Sequence, residues 1–109
     1  MSGKRERDFQ SKLISELESM FEGCVITKQD SGYIQGIPDL LILYQNKWAC
    51  LECKRNNKAN RQPNQDYYIE KLDNMSFARF ISPENIEEVL HDLQQAFESD
   101  RSTRVSRRK

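Results

Sequence analysis

An aspartate, a glutamate and a lysine interrupt two apolar runs in the stretch GIPDLLILYQNKWACLECK, residues 36–54. Asp39 stands at the start of the first run, and Glu52 and Lys54 lie two residues apart at the end of the second. Burying charged side chains costs stability unless they are paired or hydrogen-bonded. Because the surrounding residues leave little solvent-facing surface, these three side chains are candidates for chemistry.

The two runs are typical of neighbouring strands joined by a hairpin turn. Strand residues alternate between faces, so Glu52 and Lys54 share one face. A turn with an even number of residues, such as Gln45-Asn46, places Asp39 opposite Glu52. An odd turn would put Asp39 on the wrong face unless a bulge restored the register. We predict the even turn or such a bulge.

Two adjacent carboxylates repel each other unless a cation lies between them. Mg²⁺ suits this arrangement because it prefers oxygen ligands, is held by one or two carboxylates and keeps waters that a phosphate can displace. Lys54 would then position the attacking water or neutralise charge that builds on the phosphorus. The spacing of these residues therefore predicts a metal-assisted attack on a phosphate ester.

A further acid lies near the start of the chain. Residues 4–22 have apolar residues at helical spacing, and Glu6 precedes Phe9 by three positions and Leu13 by seven. It therefore falls on the core-facing side of the predicted helix. We expect Glu6 to be a third acid at the metal site.

The remaining pattern predicts an α/β fold with the order α-β-β-β-α-β-α. Strands are expected at residues 24–28, 38–44, 48–54 and 77–82, and two further helices at Pro63 and at Ser82-Pro83-Glu84. A central hairpin with helices around it predicts a three-layer sandwich with a mixed sheet of about four strands. We expect one domain over residues 1–98 and a basic, flexible tail over residues 99–109.

These motifs resemble those of the PD-(D/E)xK nucleases. Pro38-Asp39, followed after twelve residues by Glu52-Cys53-Lys54, resembles the signature of that superfamily. Residues 4–7, Lys-Arg-Glu-Arg, look like the opening of archaeal-type Holliday junction resolvases. Ser31-Gly32 followed by residues 36–39, Gly-Ile-Pro-Asp, is similar to both those resolvases and VRR-NUC nucleases. Gln65 within residues 63–66 looks like the VRR-NUC pattern, and the likeness covers roughly residues 4–82.

The resemblance implies a restriction-endonuclease-like fold and a set of residue roles. Metal ligation falls to Asp39, Glu52, the backbone carbonyl of Cys53 and, in support, Glu6, whereas Lys54 activates or orients water. Gln65 leans in from its helix as a further catalytic residue, and Ser31 belongs to a loop near the scissile phosphate. The family's cleavage leaves a 5′-phosphate and a 3′-hydroxyl, which fits in-line attack by water.

Basic residues are concentrated in two places although the formal net charge is zero. Arg55, Lys58 and Arg61 follow the predicted catalytic strand, where they are candidates for contact with phosphates. We expect the tail to add nonspecific affinity for nucleic acid, and a role in solubility is the alternative. No apolar stretch follows Met1 and none is long enough to span a membrane, so we expect a cytoplasmic protein. A compact nuclease of this kind would suit a phage-encoded protein.

Less specific interpretations remain for each feature. Asp39 could begin a strand or cap a turn, and Glu52 and Lys54 could form an exposed salt bridge of little energetic value. Ser31 could be an ordinary loop residue, and Gln65 could be an ordinary solvated helix residue. Glu6 could serve only to stabilise the helix start, where acids are favoured by the helix dipole. Cys50 and Cys53 lie three apart on a strand and so point to opposite faces, which disfavours a shared zinc ion.

The leading hypothesis is a Mg²⁺- or Mn²⁺-dependent endonuclease that cuts DNA, structure-selectively and on branched substrates such as a four-way junction, as a homodimer. A nicking or flap nuclease is the alternative within the enzyme class. A non-catalytic nucleic-acid-binding module on the same fold, or a protein-interaction domain, is the alternative outside it. We expect neither a membrane partner nor a nucleotide cofactor.

Overall fold

The computed structural model describes the backbone of residues 2–99 and the side chains of residues 7–99. The elements are α1 (Ser2–Met20), β1 (Val25–Lys28), β2 (Leu40–Tyr44), β3 (Lys47–Cys53), α2 (Pro63–Met75), β4 (Ala78–Ile81) and α3 (Ile86–Phe97). This confirms the predicted order. Apart from Ser99, the predicted basic tail lies outside the described residues. Within the described part of the chain, no helix has the length and apolar character needed to cross a lipid bilayer.

The four strands form one mixed sheet in the order β1-β2-β3-β4. β1, β2 and β3 pair antiparallel, whereas β3 and β4 pair parallel. A parallel pair needs a crossover connection, and α2 supplies it between β3 and β4. The mixed four-stranded sheet is therefore as predicted.

One face of the sheet packs against α1 and α3 and forms the main core. Phe21, just beyond α1, contacts the rings of Tyr44 and Phe97 at centroid distances of 5.2 and 5.0 Å and so links a helix end, β2 and α3. The buried core residues of this face come from both helices, from Phe77 and from strands β2 to β4: Leu13, Leu17, Phe21, Leu40, Ile42, Ala49, Leu51, Cys53, Phe77, Ile81, Val89, Leu90, Leu93 and Phe97.

α2 covers the opposite face. Glu52 and Lys54 alternate with the core residues Leu51 and Cys53, so they point away from α1 and α3. Gln65 of α2 hydrogen-bonds to both Glu52 and Lys54. The helices therefore lie on both sides of the sheet, in agreement with the predicted three layers.

Two local predictions were wrong. The last helix begins at Ile86 rather than at Ser82, because the side chain of Asn85 accepts a hydrogen bond from Ser82 N (2.7 Å) and donates one to Phe80 O (3.1 Å). These bonds hold residues 83–85 in a turn. The apolar run after Asp39 was expected to leave little solvent-facing surface, but Leu43 of β2 is 42% exposed. The reason is that α2 contacts β3 and β4 and leaves this end of the neighbouring strand uncovered.

Candidate active site

The hairpin of β2 and β3 brings Asp39 and Glu52 together. Leu40 pairs with Leu51 and Tyr44 with Lys47, so the turn contains two residues, Gln45 and Asn46. One step beyond the Leu40–Leu51 pair, the same register places Asp39 opposite Glu52. The even turn predicted from the sequence is thus confirmed. The positive φ of this turn, 58°, is at Gln45 and not at the asparagine, which is the residue with the better intrinsic tolerance for it.

Reciprocal hydrogen bonds cross the open end of this hairpin. Asp39 N donates to Glu52 Oε1 at 3.1 Å, and Cys53 N donates to Asp39 Oδ2 at 2.9 Å. Each carboxylate therefore reaches to the backbone of the opposite strand. Glu52 is 5% exposed, so its charge depends on such bonds for its stability. The two acids are held at one place by the strands themselves.

Lys54 and Gln65 complete a network around Glu52. Gln65 Nε2 donates to Glu52 Oε2 at 2.9 Å, and Lys54 Nζ donates to Gln65 Oε1 at 2.8 Å. Lys54 Nζ also donates to Asn60 O at 3.0 Å and lies 3.8 Å from Glu52 Oε2. The amide of Gln65 uses its donor for the acid and its acceptor for the ammonium, which fixes its orientation.

The start of α2 positions Gln65. Pro63 is the first residue of the helix, where its missing N–H and fixed φ are favourable. Gln65 Oε1 also accepts a hydrogen bond from Gln62 N at 3.1 Å, which satisfies a backbone donor at the helix start. The side chain of Gln65 thus caps the helix and also hydrogen-bonds to Glu52 and Lys54.

The position of Asp39 depends on the segment before β2. Gln29 N donates to Asp39 O at 2.8 Å, and Gln29 Nε2 donates to Pro38 O at 3.0 Å. Gly36 is buried with φ +93°, and a Cβ there would lie 2.4 Å from Asn64 Cβ. The loop before Asp39 therefore contacts the first turn of α2, which carries Gln65.

Two predicted site residues lie away from this network or beyond the described side chains. Glu6 falls within the range of α1, but its side chain lies outside the described residues. Ser31 is exposed and, with Gln65 and Pro63, lines a groove of about 410 Å³ between the loop and α2. The structure therefore places Ser31 beside the site without a hydrogen bond to the acids or the lysine in the described network.

The predicted DNA-binding cations have different surroundings. Arg61 lies over the ring of Phe80, with its guanidinium carbon 4.3 Å from the ring centroid, and pairs with Asp66 at 3.5 Å. Arg55 and Lys58 are exposed in the loop between β3 and α2. Among these three, the structure gives only Arg61 a defined aromatic contact.

The cysteine thiols are poor candidates for nucleophilic chemistry. Burial raises the pKa of Cys50 to about 11, and the hydrogen bond from Gln29 only partly offsets this effect. Burial and the nearby Glu18 also raise the pKa of Cys24. A thiol with a raised pKa stays protonated near neutral pH and is a weak nucleophile and metal ligand.

The oxygen atoms at the hairpin end suit a hard divalent cation. Two carboxylates from adjacent strands and a neighbouring backbone carbonyl match the ligands of Mg²⁺ or Mn²⁺ in phosphoryl-transfer sites, where one or two carboxylates suffice. Among residues 7–99, no three side chains of His, Cys, Asp or Glu are grouped closely enough to hold a metal ion. Asp39, Glu52 and the carbonyl of Cys53 would therefore hold the ion together with waters and substrate oxygens.

Three contributors were missed from the sequence. Asn60 acts through its backbone carbonyl, which carries no residue-type signal. Gln29 donates its side-chain amide to Pro38 O, and a glutamine in a loop resembles an ordinary surface residue. Gln62 donates its backbone N–H to Gln65 Oε1, a contribution that also carries no residue-type signal. Only the folded chain brings them to the site.

No protein-family model, curated protein or solved structure matches this chain.

Proposed function

We propose that this chain is a Mg²⁺- or Mn²⁺-dependent DNA endonuclease of the PD-(D/E)xK type, with a restriction-endonuclease-like fold and a likeness to VRR-NUC nucleases and archaeal-type Holliday junction resolvases. The observation that carries the proposal is the cross-strand arrangement of Asp39 and Glu52, with Lys54 bonded through Gln65 to the same acid. A purely structural salt bridge does not require a second carboxylate opposite the first.

The residues of the site have distinct tasks. Asp39, Glu52 and the Cys53 carbonyl would hold the divalent ion, which when bound would supply Lewis acidity and lower the pKa of water. Lys54, held by Gln65 Oε1 and Asn60 O, orients the attacking water and stabilises negative charge on the phosphate. Water would attack the phosphorus and release a proton to solvent as the bond from phosphorus to the 3′ oxygen breaks, and the departing 3′ oxygen would take up a proton. The products are a 5′-phosphate and a 3′-hydroxyl.

Branched DNA is the proposed substrate, and a homodimer is the proposed active form on a four-way junction. Each chain contributes one Asp39, one Glu52 and one Lys54, so symmetric incision of two strands requires two copies. A nicking or flap nuclease would need one copy. The mass of the protein at assay concentration, measured beside the number of incisions per junction, separates these two modes.

A cleavage assay tests the proposed function. Purified protein is incubated with labelled four-way junction, flap, duplex and single-stranded DNA in Mg²⁺, Mn²⁺ or EDTA. Glu52→Gln is the test variant, and Glu88→Gln, an exposed acid on α3, is its matched control. We expect metal-dependent cutting by the wild type and by Glu88→Gln, and loss of cutting in Glu52→Gln.

The remaining outcomes point to other functions. Tight DNA binding without cutting in any metal would favour a non-catalytic nucleic-acid-binding module. Neither binding nor cutting would favour a protein-interaction domain and would contradict the nuclease proposal. Equal cutting by wild type and Glu52→Gln would place the chemistry elsewhere.

A further inference from the structure

A cavity of about 220 Å³ lies beside the candidate site, between the loop after β3 and the corner that joins β4 to α3. Lys54 belongs to both the cavity wall and the hydrogen-bond network around Glu52. The cavity lining consists of Lys54, Asn56, Asn57, Ala59, Arg61, Phe80, Ile81, Ser82 and Asn85. A ligand in this cavity would therefore lie next to the scissile phosphate.

The lining has the chemistry of an anion site. It contains two cations and three side-chain amides, and none of its residues is an acid. The Ser82 hydroxyl and the Asn85 amide already donate to Asn57 Oδ1 and Phe80 O, so the donors for an anion come from the two cations and from the amides of Asn56 and Asn57. The amides are ordered by the protein itself, because the Ser82 hydroxyl donates to Asn57 Oδ1 at 2.6 Å and Asn85 bonds to the backbone of Ser82. Ser82 is 1% exposed, so these hydrogen bonds lie in a buried part of the wall.

Phe80 connects the cavity to the catalytic face of the sheet. It pairs with Glu52 in the parallel register of β3 and β4, so its ring shares a face with the candidate catalytic side chains. Arg61 lies 4.3 Å above this ring, and Lys54 Nζ is 6.0 Å from the same centroid. The ring holds the guanidinium at the cavity through a cation–π contact.

Asp66 forms an ion pair with Arg61 at the edge of the cavity. Their ion pair is 3.5 Å long, and the two side chains are 48% and 57% exposed. Such an exposed pair contributes little stability, so a phosphate can displace the carboxylate from Arg61. Asp66 is thus a competitor for the same cation.

We propose that this cavity binds a phosphoryl group of the nucleic acid strand next to the scissile phosphate, with Arg61 as its main contact and Phe80 as the positioning residue for Arg61. This proposal rests on the proposed nuclease function and extends it to a second, adjoining phosphate subsite. Lys58 lies in the same loop as Arg61 but does not line the cavity. The proposal therefore gives the phosphate contact in the cavity to Arg61 and not to Lys58.

DNA binding without catalysis tests the subsite. The affinities for a labelled four-way junction and for a short labelled duplex are measured by fluorescence anisotropy in EDTA over a series of NaCl concentrations. We expect Arg61→Ala to weaken binding about tenfold and to reduce the slope of log affinity against log salt by about 0.9, the value for one phosphate contact. Lys12→Ala on α1, across the sheet, removes a matched charge and is expected to leave both quantities unchanged.

Two further variants separate position from charge. Phe80→Leu keeps every cation, so we expect roughly threefold weaker binding with an unchanged salt slope. Asp66→Asn releases Arg61 and is expected to tighten binding roughly twofold. If Phe80→Leu does not fold, Arg61→Ala and Asp66→Asn still test the proposal with opposite signs.

A comparison of DNA ends shows whether the cavity binds an internal phosphodiester or a terminal 5′-phosphate. A duplex with 5′-phosphates is compared with one that carries 5′-hydroxyls, both labelled at the 3′ end. If Arg61→Ala weakens binding of both equally, the cavity binds an internal phosphodiester. If it weakens only the phosphorylated duplex, the cavity binds a terminal phosphate.

Two results would overturn the subsite, and they differ from those that overturn the nuclease proposal. An Arg61→Ala variant that binds like Lys12→Ala, or a Lys58→Ala variant that loses as much affinity as Arg61→Ala, contradicts the subsite even if the wild type cuts DNA. A wild type that binds through Arg61 but never cuts contradicts the nuclease proposal and leaves the phosphate contact standing. A wild type that binds neither the four-way junction nor the duplex overturns both proposals.

Discussion

Gln65 is the residue that connects Glu52 to Lys54 in the candidate site. It donates to Glu52, accepts from Lys54 and accepts from the backbone at the start of α2. The distance between Lys54 Nζ and Glu52 Oε2, 3.8 Å, is too long for a strong hydrogen bond, so the amide supplies the shorter path between them. The positions of Glu52 and Lys54 relative to each other therefore depend on the neutral side chain of Gln65.

Replacing Gln65 is expected to reduce the rate of cleavage. In Gln65→Ala, Lys54 loses its 2.8 Å acceptor, and we expect kcat to fall about 10- to 100-fold, the range seen when a side chain that orients a metal ligand is lost. Single-turnover cleavage of a labelled four-way junction, the proposed substrate, measures this change. Gln94→Ala on α3 is the control, and equal rates in the two variants would contradict the role of Gln65.

Cys50 gives the fold a dependence on pH in the alkaline range. Its pKa is raised by burial from 9.0 to about 11, so between these values the folded chain keeps a proton that the unfolded chain releases. The free energy of unfolding therefore falls as pH rises through this window. Denaturant unfolding at pH 8 and pH 10 should show a smaller decline in Cys50→Ala than in the wild type, and parallel declines would contradict the assignment.

At the scale of elements, the loop before β2 and the first turn of α2 form the support for the site. Gly36 allows their contact in two ways, through its positive φ and through its lack of a Cβ facing Asn64. Asp39 comes three residues after Gly36, and Gln65 comes directly after Asn64. A shift of either segment would separate the acid from the amide.

Gly36→Ala should destabilise the chain by more than Gly23→Ala. Both glycines have positive φ, 93° and 89°, so each substitution carries a backbone cost of about 1–2 kcal/mol. Only at position 36 does the new methyl group overlap a neighbour, which adds about 1–3 kcal/mol. Chemical denaturation of both variants measures the difference, and equal losses of stability would show that the close contact with Asn64 is not important.

Element prediction from the sequence succeeds where local signals act alone. The two-residue turn and the alternation of strand residues were sufficient to place Asp39 opposite Glu52. The start of α3 was not predictable, because the Asn85 bonds to Phe80 and Ser82 compete with the helix-start signal of Ser82-Pro83. The close approach of Gly36 to Asn64 also depends on tertiary packing between segments far apart in the chain, which no local pattern reports.

At the scale of the whole molecule, the sheet separates the main hydrophobic core from the candidate site. The face covered by α1 and α3 contains most of the core, whereas the face covered by α2 presents the charged cluster and the adjoining cavity. A formal net charge of zero hides this arrangement, because acids such as Glu87 and Glu88 on α3 balance the basic loop. Local surfaces, rather than net charge, should therefore determine how this protein meets nucleic acid.

The central claim is that Asp39, Glu52 and the Cys53 carbonyl hold one divalent ion, and Mn²⁺ titration into isotope-labelled protein tests it most directly. Paramagnetic broadening is expected first at the backbone amides of these three residues and is expected to disappear in Glu52→Gln. Broadening that starts instead at the acidic residues of α3, or that is unchanged in Glu52→Gln, would contradict the claim.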